Sequence, residues 1–320
     1  MANQTKTGKA FEYALLFEFY EKLKVITKVS ITSSEPLETA KNCFESFDEP
    51  EQEKYRITAS SAINFLMDIE PRLKFGINDK DILQLEIVSD QAGQSGDVRD
   101  VLTIRSLQKW EIGISAKNNH KAVKHSRLSQ HINFGDKWLG VGCSDNYFAE
   151  IKPIFDRLTE IRTKDKSTLW TSIENMHEEV YVPILDAFRK ELLRLDKENP
   201  NIVAENLVQY LIGNQDFYKV IKGAKQVEVQ GYNLNGTLNL PFEKEKPKAK
   251  IPRLKLPTRL IEIVYQEGSK TTLLVSLNEG WQISFRIHNA SSRVEPSLKF
   301  DINLVSAPQS LFKTHKFIYE

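Results

Sequence analysis

The chain is expected to fold as an α/β protein, with a mixed central sheet flanked by helices and a β-rich C-terminal portion. Three observations predict this. Apolar residues recur at helical spacing through residues 7–69. Residues 83–117 carry apolar and β-branched runs separated by turn residues. From Val227 onward, short strand-like runs alternate with turn dipeptides such as Asn235-Gly236 and Glu279-Gly280.

Taken in order, residues 7–23 form the first predicted helix. Ala10, Tyr13, Ala14 and Phe17 make its apolar stripe, and Thr7 is its expected N-cap. Residues 37–47 and 57–69 read as further helices, the second ended by Pro71. Residues 83–88 read as a strand, and residues 90–96, with two glycines, as a loop. Residues 98–105 and 109–117 are expected to be neighbouring strands. Residues 123–132 read as a basic helix and 139–143 as a short buried strand. Residues 149–161, 176–195 and 203–211 are amphipathic helices, the second kinked at Pro183. The C-terminal strands are 226–232, 237–240, 259–266, 271–277, 282–288 and 299–304. Residues 243–257, rich in Lys and Pro, are expected to be an extended, exposed loop. A soft boundary near residue 224 then separates an α/β core, residues 1–223, from the β-rich residues 224–320, which can share that core.

The composition fits an ordinary globular protein: 320 residues, 40% hydrophobic and 27% charged. No apolar run reaches the ~18 residues of a membrane span, so no membrane partner is expected. The N-terminus lacks the apolar core of a signal peptide. Cys43 and Cys143, the only cysteines, lie far apart, which points to a reducing cytoplasm and away from structural zinc. The net charge of +1 hides local basic patches at residues 117–137 and 244–259. Such patches suit contact with the phosphates of a nucleic acid. No glycine-rich nucleotide loop, nucleophile elbow or HExxH occurs.

The chemistry concentrates on the two predicted neighbouring strands. Alternation puts Glu111, Gly113, Ser115 and Lys117 on one face and Trp110, Ile112, Ile114 and Ala116 on the other, apolar face. A lysine ending a half-buried strand calls for an anion. Asp97 opens the preceding strand, and with Lys117 it can hold a divalent metal and orient water against a phosphate. Asp100, three residues on, is read as alternating to the other face. Glu12 lies beside the apolar stripe of the first helix, and Asp136 is a further acid downstream.

Two basic elements complete the set. Lys121, Lys124, His125 and Arg127 follow Lys117 and are expected to grip phosphates from a helix. Ser284, Arg286 and His288 alternate onto one strand face, followed by a loop containing Asn289 and Arg293. Arg286, His288, Asn289 and Arg293 are the candidates for reading base edges.

The strand pair resembles the PD-(D/E)xK nuclease site, with Asp97 matching the first acid and Lys117 the lysine. Ser115 stands where the second acid is expected, and Glu12, Glu111, Asp100 or Asp136 is left to replace it. The resemblance implies Mg²⁺ held by Asp97, Glu12 and the Ala116 carbonyl. The blocks GKAFEYALL, GDVRDVL, WEIGISAKNNHKAVKHSRLS and SFRIHNASSRVEPSLKFD together resemble the HaeIII family of type II restriction endonucleases. That resemblance implies Mg²⁺-dependent cutting of double-stranded DNA at GGCC, leaving blunt ends, in a restriction–modification system. A two-fold symmetric DNA site would favour a homodimer. A structure-selective or repair nuclease of the same fold and a non-catalytic DNA-binding protein are the alternatives.

Overall fold

A computed structural model of the chain describes residues 3–89, 97–118 and 122–317. The predicted loop at 90–96 and Lys121 lie outside them. The chain gathers into two compact units that interleave along the sequence. One comprises residues 1–120, 214–255 and 310–320; the other comprises 121–213 and 256–309. A single division near residue 224 therefore does not describe how the contacts group.

The first unit is built on a mixed sheet. Its elements are α1 (Asn3–Leu23), β1 (Val29–Ile31), α2 (Glu35–Glu45), α3 (Glu49–Ile69), α4 (Pro71–Lys74), β2 (Leu83–Ile87), β3 (Val101–Arg105) and β4 (Trp110–Asn118). It takes up later segments that are numbered here in chain order: β6 (Phe217–Lys222), β7 (Gln226–Tyr232) and β12 (Phe312–Phe317). Among the described residues the sheet has seven strands, in the order β1-β2-β3-β4-β6-β7-β12. β1/β2 and β4/β6 are parallel and the other pairs antiparallel.

α1 is present but begins earlier than expected, so Thr7 lies inside it and does not cap it. Its Ala10, Phe11, Ala14, Leu15 and Phe19 are fully buried in one core cluster with Ile112, Ile114, Tyr218 and Val220 of the sheet. α3 also starts earlier than its apolar stripe suggests. Asp48 caps it by accepting the Glu51 N–H at 3.1 Å, with a proline in the first turn. Residues 237–240 form no strand. The lysine-rich loop beyond them is not wholly exposed, because Ile251 and Leu254 are buried.

The second unit holds β5 (Ala122–Leu128), α5 (Asp145–Lys164), α6 (Val182–Glu198), α7 (Val203–Ile212), β8 (Leu260–Tyr265), β9 (Thr272–Leu277), β10 (Gln282–Asn289) and β11 (Leu298–Ser306). Its antiparallel sheet runs β5-β11-β10-β9-β8 among the described residues. Phe134, Phe188, Phe285 and Phe300 form the aromatic centre, with Phe134–Phe188 centroids 4.8 Å apart.

Two expectations fail in this unit. The basic helix at 123–132 is the strand β5, because its alternate residues find partners in the fold rather than water. The strand at 139–143 is replaced by a wide helical turn, Gly135–Leu139, followed by Gly140 at φ +71°. A Cβ on Gly135 would meet the Val141 carbonyl oxygen at 2.3 Å. Pro183 stands in the first turn of α6, where a wide helical turn, His177–Tyr181, runs into that helix.

Candidate active site

The site is assembled on the polar face of β4. Gly113 is the first requirement. A Cβ there would stand 2.0 Å from Cδ of Arg99, so only glycine lets the arginine stem lie across the strand. Arg99 is then clamped from two sides. Its Nε and Nη2 donate to the Asp97 carboxylate at 2.8 and 2.7 Å, and its Nη1 donates to Glu111 Oε1 at 2.6 Å. The Asp97 carboxylate also accepts the Arg99 backbone N–H at 3.0 Å. Burial alone would raise the Asp97 pKa, but the hydrogen bonds and charge of Arg99 outweigh it and hold it below the usual range.

Asp97 and Glu111 are therefore partners of an arginine, and the contact expected between Asp97 and Lys117 is not the one formed. Asp100 takes that place. Its Oδ2 accepts from the Ala116 N–H at 2.7 Å, from the Ser115 hydroxyl at 3.3 Å and from Lys117 Nζ at 3.3 Å. The reason is register. The Asp100 N–H donates to the Ile114 carbonyl although Val101 already pairs with Ile114, so the ladder bulges at residue 100 and turns its carboxylate toward the Ser115–Lys117 end of β4. The expectation that Asp100 turns away from Lys117 is thus corrected.

Glu12 does reach this cluster. It is 7% exposed and accepts a hydrogen bond from Lys9, one helical turn earlier, at 3.0 Å. Its carboxyl is pushed up to about 7, first by burial and then by the nearby Asp100 charge, with Lys9 and Lys117 acting in the opposite direction. Lys9 was legible as a residue one turn before Glu12, yet sequence reasoning gave it no role. Ala116 contributes its N–H to Asp100 and buries its methyl in the core.

A further cation stands on the same sheet. Lys219 of β6 pairs with Ser115 in the parallel register and is 8% exposed. Burial, with help from the Lys117 and Lys313 charges, pulls its ammonium down to about 8 against the opposing pull of Glu228. Nothing in the sequence marked it, because β6 was not among the expected strands.

Among the described residues, no three His, Cys, Asp or Glu side chains gather to hold a metal ion. Asp100 and Glu12 are two hard carboxylates close enough for one charge to raise the other's pKa. That donor set fits Mg²⁺, which is commonly bound by one or two carboxylates and completes its shell with water and substrate phosphate.

In the second unit, most of the predicted DNA contacts share one face of the antiparallel sheet. The pairings His125↔Asp301 and Arg286↔Asp301 form one row, and Arg127↔Lys299 and His288↔Lys299 form the next. Asp301 has three basic side chains around it: Arg286 Nη2 at 2.6 Å, His125 Nδ1 at 2.8 Å and His288 Nε2 at 3.2 Å. His125, Arg127 and Arg286 are exposed, as is Arg293 beyond the strand. The Asn289 side chain is half-buried and donates to the Ser291 carbonyl at 2.5 Å. Lys124 points to the opposite face. Its ammonium donates to the Tyr210 carbonyl at 2.8 Å and lies 3.7 Å from that ring's centroid, so it is committed inside the unit. Asp136 also belongs to this unit, in the turn after Phe134.

The family model of the HaeIII restriction endonuclease matches residues 8–308. The chain is 41% identical to the type II restriction enzyme HaeIII of Haemophilus aegyptius over 315 residues, 97% of each chain. No solved structure matches it.

Proposed function

This chain belongs to the HaeIII restriction endonuclease family, and from that premise we propose that Asp100, Glu12 and Lys117 form the centre at which it cuts double-stranded DNA. The contact between Asp100 and Lys117 at 3.3 Å carries the reading. It supplies the acid and the lysine of a phosphodiester hydrolase at one end of β4.

Asp100 and Glu12 would hold Mg²⁺. Bound there, the ion supplies polarisation of the phosphate and stabilisation of the leaving oxygen. Asp100 is held in place by the Ala116 N–H and the Ser115 hydroxyl, so Ser115 orients the acid and does not replace one. Lys117, half-exposed at the strand end, orients the attacking water and meets the charge that grows on phosphorus. Asp97 and Glu111 fix Arg99, which braces the segment leading into Asp100. His125, Arg127, Arg286, His288 and Arg293 supply the cationic surface for the duplex, part of it for phosphates and part for base edges. The family resemblance extends the reading to GGCC as the recognition sequence, to a homodimer on a two-fold symmetric site and to a cytoplasmic setting, where Cys43 and Cys143 stay outside any disulfide.

The test is digestion of a sequenced plasmid with Mg²⁺ or with EDTA, read at nucleotide resolution. Discrete blunt fragments ending within GGCC, only with Mg²⁺, are expected. Cutting by Asp100→Ala and Lys117→Ala should fall about 10²–10³-fold while both proteins still bind the duplex. Random nicking, or full cutting by Asp100→Ala, refutes the assignment.

A further inference from the structure

The sheet face that carries Ser115 and Lys117 holds one charged group that the mechanism above leaves idle. β6 runs parallel to β4 with Ser115 opposite Lys219. Cross-strand partners point to the same side of a sheet, so the Lys219 stem rises beside Ser115. On its other flank β7 brings Gln230 opposite Lys219. Gln230 is already engaged, accepting the Tyr232 hydroxyl at 2.9 Å and donating to Glu228 at 2.6 Å. Among the described residues, the Lys219 ammonium makes no hydrogen bond and no ion pair, although the residue is only 8% exposed.

An ammonium largely, though not wholly, withdrawn from water beside a second ammonium is unfavourable unless an anion comes to it. The phosphodiester that Lys117 awaits is such an anion. We propose that Lys219 is a second catalytic lysine, donating a hydrogen bond to a non-bridging oxygen of the scissile phosphate from the flank of Ser115. This rests on the endonuclease reading and adds a residue to it. Lys219 takes up no proton and releases none: water adds to phosphorus, the P–O bond to the leaving oxygen breaks, and the ammonium meets charge that builds on the phosphoryl oxygens. It stands next to the position where the resembling nuclease pattern has an acid and this chain has Ser115.

The experiment is single-turnover cleavage, with enzyme in excess and Mg²⁺ present, of a plasmid that the unaltered chain cuts. Lys219→Met keeps the stem and removes the charge. Its cleavage rate should fall about 10²-fold, with duplex affinity in EDTA within about threefold and an unchanged or higher thermal midpoint. Lys219→Arg should regain at least about tenfold of the lost rate, because it restores a donor and not merely volume. If Lys219→Met does not fold, Lys219→Gln is judged by the same thresholds. A folded neutral variant that cuts within about threefold of the unaltered rate, or an arginine variant no faster than the methionine one, overturns the role of Lys219 and leaves the nuclease reading standing. If the unaltered chain itself does not cut, both readings fall.

Discussion

At the scale of single residues, two aspartates three positions apart have different partners, and the one the sequence favoured is not the one that meets Lys117. Asp97 follows a glycine and resembles the first acid of the nuclease pattern. Yet its carboxylate is filled by Arg99, whereas Asp100 meets Lys117. The choice turns on the bulge just before β3. Val101, Leu102 and Ile104 are apolar on both faces of β3, so hydrophobic alternation does not reveal which way residue 100 points. Ser115, Lys117 and Glu12 were legible, because β4 alternates cleanly and the stripe of α1 is periodic. The two aspartates should separate by assay. Asp97→Asn weakens the clamp on a buried guanidinium, so stability should drop by about 1–3 kcal/mol, with a smaller loss of cutting by the folded protein. Asp100→Asn should instead cost the cutting and leave stability nearly unchanged, since it removes a charge that opposes Glu12. Urea unfolding and plasmid cleavage on the same samples decide it; loss of cutting by Asp97→Asn at full stability would return the catalytic role to Asp97. Gly113→Ala should behave like a damaged clamp, because its methyl group occupies the Arg99 stem. A loss of about 1–3 kcal/mol is expected for such overpacking.

At the scale of elements, periodicity was a good guide to the helices and a poor one to β5. Along β5 the inward face carries the polar Lys124 and Ser126 before Leu128, which conceals a strand. Tyr210 satisfies both, taking Lys124 on its carbonyl and ring and Ser126 at its hydroxyl. Only a tertiary partner makes that alternation stable, and a sequence window does not contain it. The end of α3 shows a similar device. Glu70, 1% exposed, accepts the Tyr218 hydroxyl of β6 and the Asn239 N–H, both at 2.6 Å. Burial first, and Asp216 in addition, push its carboxyl up to about 7, although the two hydrogen bonds and Arg72 act the other way. Because the folded-state value is raised, the group's contribution is intact below about pH 4.5 and is lost as pH rises toward about 7. The loss is on the order of 3 kcal/mol. Glu70→Gln keeps an oxygen for both donors and cannot ionise. Relative to the unaltered chain it should gain stability from about pH 5 to about pH 7 and level off above that, as read by urea midpoints. A difference that stays flat over that range would mean Glu70 is not protonated in the fold.

At the scale of the whole molecule, the sequence reports a change of texture near residue 224 that is not a change of unit. Strand-rich composition after Val227 has two sources, because β7 and β12 complete the sheet that carries the candidate site and β8 to β11 build the other sheet. Amino-acid composition registers strands but not which sheet they join, and so the interleaving was hidden. The physical consequence is testable. A cut at 223/224 falls in the turn between β6 and β7, where the Gly223 N–H donates to the Gln226 carbonyl. Residues 1–223 would lose Val227 and Val229 from the core and the Phe312 ring that stacks on Phe65 at 5.9 Å. β6 would become an open edge beside Lys219, with its backbone groups unpaired on one side. The fragment 1–223 should therefore be aggregation-prone and show no cooperative urea transition, while co-expression with residues 224–320 should restore a folded, cutting complex. If fragment 1–223 instead unfolds cooperatively with its β6 amides protected from exchange, the first unit does not need β7 and β12, and the one-boundary description of the chain is the better one.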